Sequence, residues 1–401
     1  MKNLLMRRDY FTLFLIQVTE VFGFSLILPF LPLYAKDMGA TPFQISLVLA
    51  LFSFFQFFMA PIMGKLSDIY GRKPLLMFSQ LSTFLSFLIL GFANTIWLLA
   101  ASRIIDGLFG SNFVIAQAYL SDISSDEDRT EAMGISGMAF GFGFLVGPAF
   151  GGFLAEKFGY SVPSFLAAGL SLLTIVMTAL FLQEKAKRKV GEQRIKLSLE
   201  MFNLKGFAKY FKIEELRELF IIIFLFLSAQ IILTSNISIY SQMKFGMTAQ
   251  DMGFVLTGIG LVSIVMQGGF LGKLIKKFGE LKLFYFSFAS LLLSFVFLSL
   301  LQVKVLFVLP MMLFAVGMAL FRPIIMSNIS KEAPEGERGS VMGLTNSLAS
   351  ISQVIGPLIG GFILSNYYYE YLVYFEIALV IVVGLVISRL NFIKNYRKSR
   401  T

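Results

Sequence analysis

Apolar runs long enough to cross a bilayer recur along this chain. Segments of about 20 residues span a hydrocarbon core of about 30 Å, and twelve can be traced, at roughly 10–33, 43–64, 75–93, 97–120, 132–154, 161–182, 217–240, 250–271, 282–301, 304–327, 340–364 and 370–391. Backbone amides inside lipid have no water to bond, so each run predicts a helix that satisfies its own N–H and C=O groups. Composition agrees: 57% of the 401 residues are hydrophobic, 14% are charged and 46 are Phe, more apolar surface than one soluble core can hide. The expected fold class is all-α integral membrane, with 12 transmembrane helices.

The net charge of +10 would suggest nucleic acid in a soluble protein. Here the Lys and Arg collect in alternate loops. With both termini cytoplasmic, the inner segments carry 28 cations and the outer loops only Lys36, Lys157, Lys244 and Lys304, which sets the orientation by the positive-inside rule. Arg103 and Arg322 are left over and fall within spans. The cationic partner is then the anionic membrane face, and no nucleic acid is expected. Lys2, Arg7 and Arg8 precede a full-length first span that continues past Pro29 with no small-residue cleavage site, so that span is expected to stay in the protein. With no Cys and no His there is no thiol nucleophile and no thiolate or imidazole metal site, so any proton chemistry near neutral pH falls to carboxylates. No metal, no cofactor and no phosphate loop is expected.

The chain repeats itself at half its length. The loop Gly64-Lys65-Leu66-Ser67-Asp68-Ile69-Tyr70-Gly71-Arg72-Lys73-Pro74 returns, degenerate, as Gly272-Lys273-Leu274-Ile275-Lys276-Lys277-Phe278-Gly279, 208 residues later. Arg129, Met133, Gly134, Gly147-Pro148 and Gly151-Gly152-Phe153 recur as Arg338, Met342, Gly343, Gly356-Pro357 and Gly360-Gly361-Phe362, 209 residues on. Two pseudo-symmetric six-helix bundles are expected, 1–182 and 217–401, related by an axis along the membrane normal with the substrate route between them. The charged stretch 183–216 reads as a cytoplasmic linker; from Leu197 to Leu219 it is either a surface helix on the inner leaflet or a solvated segment.

The 64–74 loop resembles the G-x-L-[SA]-D-x-x-G-R-[KR] signature of the major facilitator superfamily, between its second and third helices. The resemblance implies that fold and makes Asp68, Gly71 and Arg72, with Asp122 closing the fourth span, a gating latch on the cytoplasmic side; the alternative is a solvated topology signal. Glycines at 64 and 71 are expected to let backbones approach. The second copy has Lys276 in the acidic place.

Gly143-Phe144-Leu145-Val146-Gly147-Pro148-Ala149-Phe150-Gly151-Gly152 resembles the superfamily's antiporter signature. Gly143, Gly147, Pro148, Gly151 and Gly152 should kink span 5 and leave a smooth packing face. Span 11 repeats Gly356-Pro357 and Gly360-Gly361, so shared architecture competes with the antiport reading.

Charge within a span is a functional signal by default. Glu20 lies about ten residues into span 1 with Gln17 on the same face, and Arg103 and Asp106 lie one turn apart in span 4. All three are proton-coupling candidates. Arg103 and Gly107 resemble the family's R-x-x-x-G motif, linked there to proton transfer. Against this stand a structural Arg103–Asp106 pair and a Glu20 pinned by Arg103. Gln17, Asn112, Gln117, Gln230, Asn236 and Arg322 are candidates for the substrate cavity, and Arg322 can equally be a positive-inside anchor. Glu376 in span 12 is either a rim residue or a second acid. The phenylalanines of spans 1 and 2, Phe22, Phe24, Phe52, Phe54, Phe55, Phe57 and Phe58, are either a greasy pocket or lipid-facing surface.

Together these features resemble a drug:proton antiporter of the prokaryotic multidrug and tetracycline kind. That resemblance implies an exporter of small lipophilic or cationic compounds working by alternating access in an inner membrane. It would be a monomer whose partners are substrate, protons and lipid. A proton-coupled metabolite transporter is the alternative, and a receptor or intramembrane enzyme is the remote one.

Overall fold

The computed structural model describes residues 7–125, 128–184, 209–334 and 337–389. Most of the expected linker, with the first part of its Leu197–Leu219 segment, lies outside the described residues, as do the side chains of Arg129 and Met133. Among the described residues eleven helices are long and apolar enough to cross a membrane. The twelfth position, span 8, is the shorter helix Ala249–Val265, prolonged by a π-helical turn, Met266–Phe270, and by Leu271–Phe278. The remaining spans are Arg8–Asp37, Pro42–Tyr70, Arg72–Gly91, Ile96–Ile123, Arg129–Phe158, Ser161–Phe181, Glu214–Phe245, Glu280–Leu300, Lys304–Glu332, Arg338–Asn366 and Glu370–Arg389. The fold is thus all-helical and membrane-spanning.

Breaks occur in places that the sequence does not announce. Span 5 and span 11 run unbroken through Pro148 and Pro357, so the expected kink at the Gly-Pro pair is not a break in the helix. A proline removes one backbone donor, and a membrane helix tolerates this when side chains bond the groups nearby. Ser25 Oγ donates to the Gly143 carbonyl at 2.9 Å, and the Ala149 N–H donates to Thr257 Oγ1 at 3.1 Å. The real interruptions lie at Leu28–Phe30 in span 1, beside Pro29, and at Gly110-Ser111 in span 4.

Two compact units form. One holds the described residues up to 184 with Met247–Thr257; the other holds 209–246 and 258–389. The start of span 8 therefore groups with the first six spans, unlike the boundaries drawn from sequence. Glycine is the reason: a Cβ on Gly152 would overlap the Ala249 carbonyl, and one on Gly253 would overlap that of Pro148.

Each unit repeats the other's internal packing. Span 1 packs on spans 5 and 6 and span 3 on spans 4 and 6; span 7 likewise packs on spans 11 and 12 and span 9 on spans 10 and 12. Hydrogen bonds recur at the same offset of 208. Ser82 donates to the Ile105 carbonyl and Ser290 to that of Leu313; Ser86 donates to the Ser102 carbonyl and Ser294 to that of Pro310. The glycine contacts recur too. Gly147 sits against Phe22 and Ser25 and Gly151 against Leu26, while Gly356 sits against Ile231 and Gly360 against Asn236. The glycine run of span 5 is therefore a face for close approach to span 1, shared by both halves.

Gly64 corrects another expectation, because nothing lies within 4 Å of its would-be Cβ. It brings no backbones together and matters only through its carbonyl. The phenylalanine group divides: Phe54 and Phe58 are exposed, whereas Phe24 packs on Phe52 and Phe144. Ahead of span 7, Lys209 donates to Glu337 at 2.8 Å, which holds that carboxyl below the usual carboxylate range and lifts the Lys209 ammonium above its own.

Gly151→Ala should lower the thermal unfolding temperature of the purified protein. Its methyl meets rigid backbone, an overpacking cost of about 1–3 kcal/mol. Gly64→Ala, meeting nothing in mid-helix, should leave stability equal or raise it by about 0.5–1 kcal/mol. The two melts measured side by side check both.

Candidate functional site

Within the first unit, spans 1, 3, 4 and 6 bring one carboxylate into a chain of hydrogen bonds. Thr174 donates to Glu20 Oε1 at 2.6 Å and Asn112 Nδ2 to Glu20 Oε2 at 2.8 Å. The same Nδ2 donates to Thr83 Oγ1 at 2.9 Å, and Thr83 donates to Asp106 Oδ1 at 2.9 Å. Arg103 Nη1 lies 3.7 Å from Asp106 Oδ2 and Nη2 donates to Ser86 Oγ at 3.1 Å. Gln17 stands one turn before Glu20 and accepts from Ser136 Oγ at 3.0 Å. Gln80, fully buried, lies beside the Glu20 carboxyl.

The break in span 4 makes this possible. Gly110 closes the first segment with its N–H on the Asp106 carbonyl, and a Cβ there would overlap the Asp106 side chain. Asn112 then opens a new helix and can turn its amide between spans 1 and 3. A continuous helix would place the 106 and 112 side chains at an angle of about 240° (six residues at 100° each).

Glu20, Arg103, Asp106, Gln17 and Asn112 are thus gathered in one place. Among the described residues no ion pair joins Arg103 to Glu20, so the expected alternative of a pinned Glu20 is not what forms. Glu20 is half-buried and bonded only by neutral donors, whereas Arg103 and Asp106 are almost wholly buried at 2% and 3% exposure. Elsewhere the candidates scatter. Gln117 and Gln230 are half-buried and Arg322 is exposed, and the network's bonds include none of them. Asn236, expected to face the cavity, is fully buried and bonds the Ile232 and Pro357 carbonyls, joining span 7 to span 11. Glu376 is fully buried, which removes the rim reading.

Sequence reasoning missed Thr83, Gln80, Ser136 and Thr174. A signal existed for two of them: Ser79, Gln80, Ser82, Thr83 and Ser86 form a polar stripe at helical spacing on an otherwise apolar span.

The network belongs to one half alone. At offsets of 208 or 209, Glu20 falls on Ala229, Thr83 on Leu291, Arg103 on Met311, Asp106 on Phe314, Asn112 on Leu320 and Thr174 on Val383. The serines that clip helices together are kept in both halves, and the network is not.

A second polar cluster sits at the loop between spans 2 and 3. Arg72, mostly buried, pairs with Asp68, and its Nε reaches Asp122 Oδ2 at 2.7 Å; Nη1 also bonds Ser67 and the Gly64 carbonyl. Gly71 links the two helices at φ 104°, where an L side chain is strained, and a Cβ there would meet Glu184 Oε2 at 2.6 Å. Glu184, which the sequence did not single out, accepts from the Lys73 N–H at 3.0 Å, and Lys73 Nζ donates to the Ala179 and Leu182 carbonyls. Asp68, Gly71, Arg72 and Asp122 are therefore assembled as one group that ties spans 2, 3, 4 and 6 together.

A duplicated set of membrane-length helices with a polar network buried in one copy fits a membrane transporter. The chain belongs to the Major Facilitator Superfamily, whose sequence model matches residues 13–357. It is 28% identical over 409 residues to the class H tetracycline resistance protein of Pasteurella multocida, covering 98% of this chain and 97% of that one. It is 30% identical over 342 residues to multidrug resistance protein 1 of Bacillus subtilis, covering 84% and 85%. Among solved structures it resembles the human organic anion transporter MFSD10 (TM-score 0.67, 21% identity, 95% of this chain and 99% of that one). It also resembles the nucleoside transporter NupG (TM-score 0.75, 14% identity, 93% and 98%).

Arg72→Lys keeps the charge but cannot serve two carboxylates and a carbonyl from one planar fork. It should lose most of the transport lost in Arg72→Ala, both variants still inserting in the membrane. The bonds removed are worth on the order of 1–3 kcal/mol. Transport normalised to inserted protein checks this.

Proposed function

We propose that the protein exports small lipophilic or cationic compounds in exchange for protons by alternating access, with Glu20 as the exchanging carboxylate. The observation that carries this is the setting of Glu20: an acid within a span, half-buried, held by Thr174 and Asn112 and, among the described residues, by no cation. A carboxylate without a fixed counter-charge in low dielectric can be neutralised either by a proton or by a cationic substrate, and each excludes the other. Similarity to tetracycline and multidrug resistance proteins supports the export direction. The setting is a prokaryotic inner membrane with both termini inside, consistent with the charge distribution.

Asn112 gives protonation a consequence beyond Glu20. Its Nδ2 bonds two acceptors at once, while its Oδ1 is buried and has no hydrogen bond. When Glu20 takes a proton on Oε2, the oxygen facing Asn112, its O–H becomes a donor and Asn112 offers oxygen in place of nitrogen. Thr83 then loses its donor and can turn its own hydroxyl from Asp106 toward that oxygen. Proton binding at span 1 is thereby transmitted to the Arg103–Asp106 pair without a charge crossing the gap. Asp106, with Arg103 and Thr83 as fixed partners, is a positioning group.

In everted vesicles with an imposed pH gradient, wild type should accumulate tetracycline or the cation ethidium. Glu20→Gln should reduce gradient-driven accumulation at least tenfold, about 1.4 kcal/mol of lost coupling, and weaken ethidium binding more than that of neutral compounds. Asp106→Asn should reduce folded yield and leave the gradient dependence of the folded fraction in place. Transport indifferent to the pH gradient would sink the antiport reading. Retained coupling in Glu20→Gln with lost coupling in Asp106→Asn would move the proton to span 4.

A further inference from the structure

Span 12 carries an acid that the Glu20 network does not use. Glu376 lies six residues after Glu370, where the helix begins, which places it about 9 Å along the span at 1.5 Å per residue. It is 0% exposed and no side chain hydrogen-bonds either carboxyl oxygen. Spans 7, 9 and 11 pack against span 12. Their ionisable residues sit toward the ends: Glu214, Glu215, Arg217, Glu218, Tyr240 and Lys244 on span 7; Glu280, Lys282 and Tyr285 on span 9; Arg338 on span 11. Among the described residues none of them forms an ion pair with Glu376, and the polar group it meets on span 7 is the backbone N–H of Leu233.

The duplication shows what the fold itself asks for at this position. Buried Pro163, Ser164, Ala167, Ser171, Thr174 and Thr178 of span 6 correspond, each 209 residues on, to buried Leu372, Val373, Glu376, Val380, Val383 and Ile387 of span 12. Glu376 thus stands where the first half has Ala167, which faces Gly23 of span 1. An alanine fills the place in one copy, so packing does not call for a carboxyl in the other. An ionised carboxylate there, with no cation and no side-chain donor, would carry a large desolvation cost; a protonated one avoids most of it.

We propose that Glu376 is a second proton-binding site of the transport cycle, loaded in the arrangement described and discharged when span 12 moves against span 7 and water reaches the carboxyl. Its use in transport rests on the proton-exchange reading above; its protonation does not. The step is proton transfer between the Glu376 carboxylate and water, with no other bond made or broken. It adds one proton to the one carried by Glu20, and the chain then couples two.

Infrared spectroscopy of the full-length protein in liposomes reads this without any substrate. Wild type at neutral pH should show a protonated-carboxyl C=O band that shifts in D2O, is absent from Glu376→Gln and persists in Glu20→Gln. Glu376→Ala, which copies the alanine found at 167 in the first half, should fold in normal yield and lack the band as well. In everted vesicles carrying tetracycline, each coupled proton multiplies the limiting accumulation ratio tenfold per pH unit, so Glu376→Gln should lower that ratio about tenfold per unit. An unchanged infrared spectrum in Glu376→Gln, a band that never exchanges in D2O, or failure of both variants to fold would each overturn the proposal. An exchanging band in a protein whose efflux ignores the pH gradient would defeat the antiport reading and leave Glu376 as a proton site.

Discussion

Inside a bilayer every peptide N–H and C=O must be satisfied by the protein itself, and this requirement governs where the chain is regular and where it bends. The spans are helices because no other local structure closes its own bonds. Between spans, hydroxyls and amides reach across to neighbouring carbonyls, and glycines let backbones come close. Ser25 on the Gly143 carbonyl and Thr257 at the Ala149 amide flank Pro148, which sits in an unbroken span. The same requirement explains the polar stripe on span 3. A hydroxyl in lipid needs a partner, and the serines of spans 3 and 9 find theirs on the carbonyls of spans 4 and 10.

Duplication separates what both halves keep from what one half alone carries. Features present in both copies, the serine clips and the glycine faces, hold helices in register. Features present in one copy are additions: the Glu20–Asn112–Thr83–Asp106 network in the first and Glu376 in the second. The Gly-Pro run of span 5 falls on the shared side of this line, since span 11 carries the same contacts through Gly356 and Gly360.

Much of the fold was legible in the sequence because hydrophobic length is a property of consecutive residues. The spans, the half-repeat and the intramembrane acids could all be found by reading along the chain, and the structure gathers Glu20, Arg103, Asp106, Gln17 and Asn112 in one unit. What could not be read depends on rotation about a helix axis. Asn236 and Gln230 lie six residues apart on one span, yet one is fully buried against span 11 and the other half-buried. Thr174 looks like any polar residue of an apolar helix until span 6 turns it to Glu20. The break at Gly110-Ser111 was written in the sequence, but an apolar run of full span length concealed it.

Span 6 has a mechanical consequence of its own. Thr174 on this helix bonds Glu20, while its far end is fastened to the loop between spans 2 and 3: Glu184 takes the Lys73 amide and Lys73 takes the Ala179 and Leu182 carbonyls. A helix is stiff over these few turns, so span 6 fixes the distance between the two polar clusters. The carboxylate and the charged loop share no residue, yet three helices join them: span 6, span 3 through Thr83 and Arg72, and the second segment of span 4 through Asn112 and Asp122.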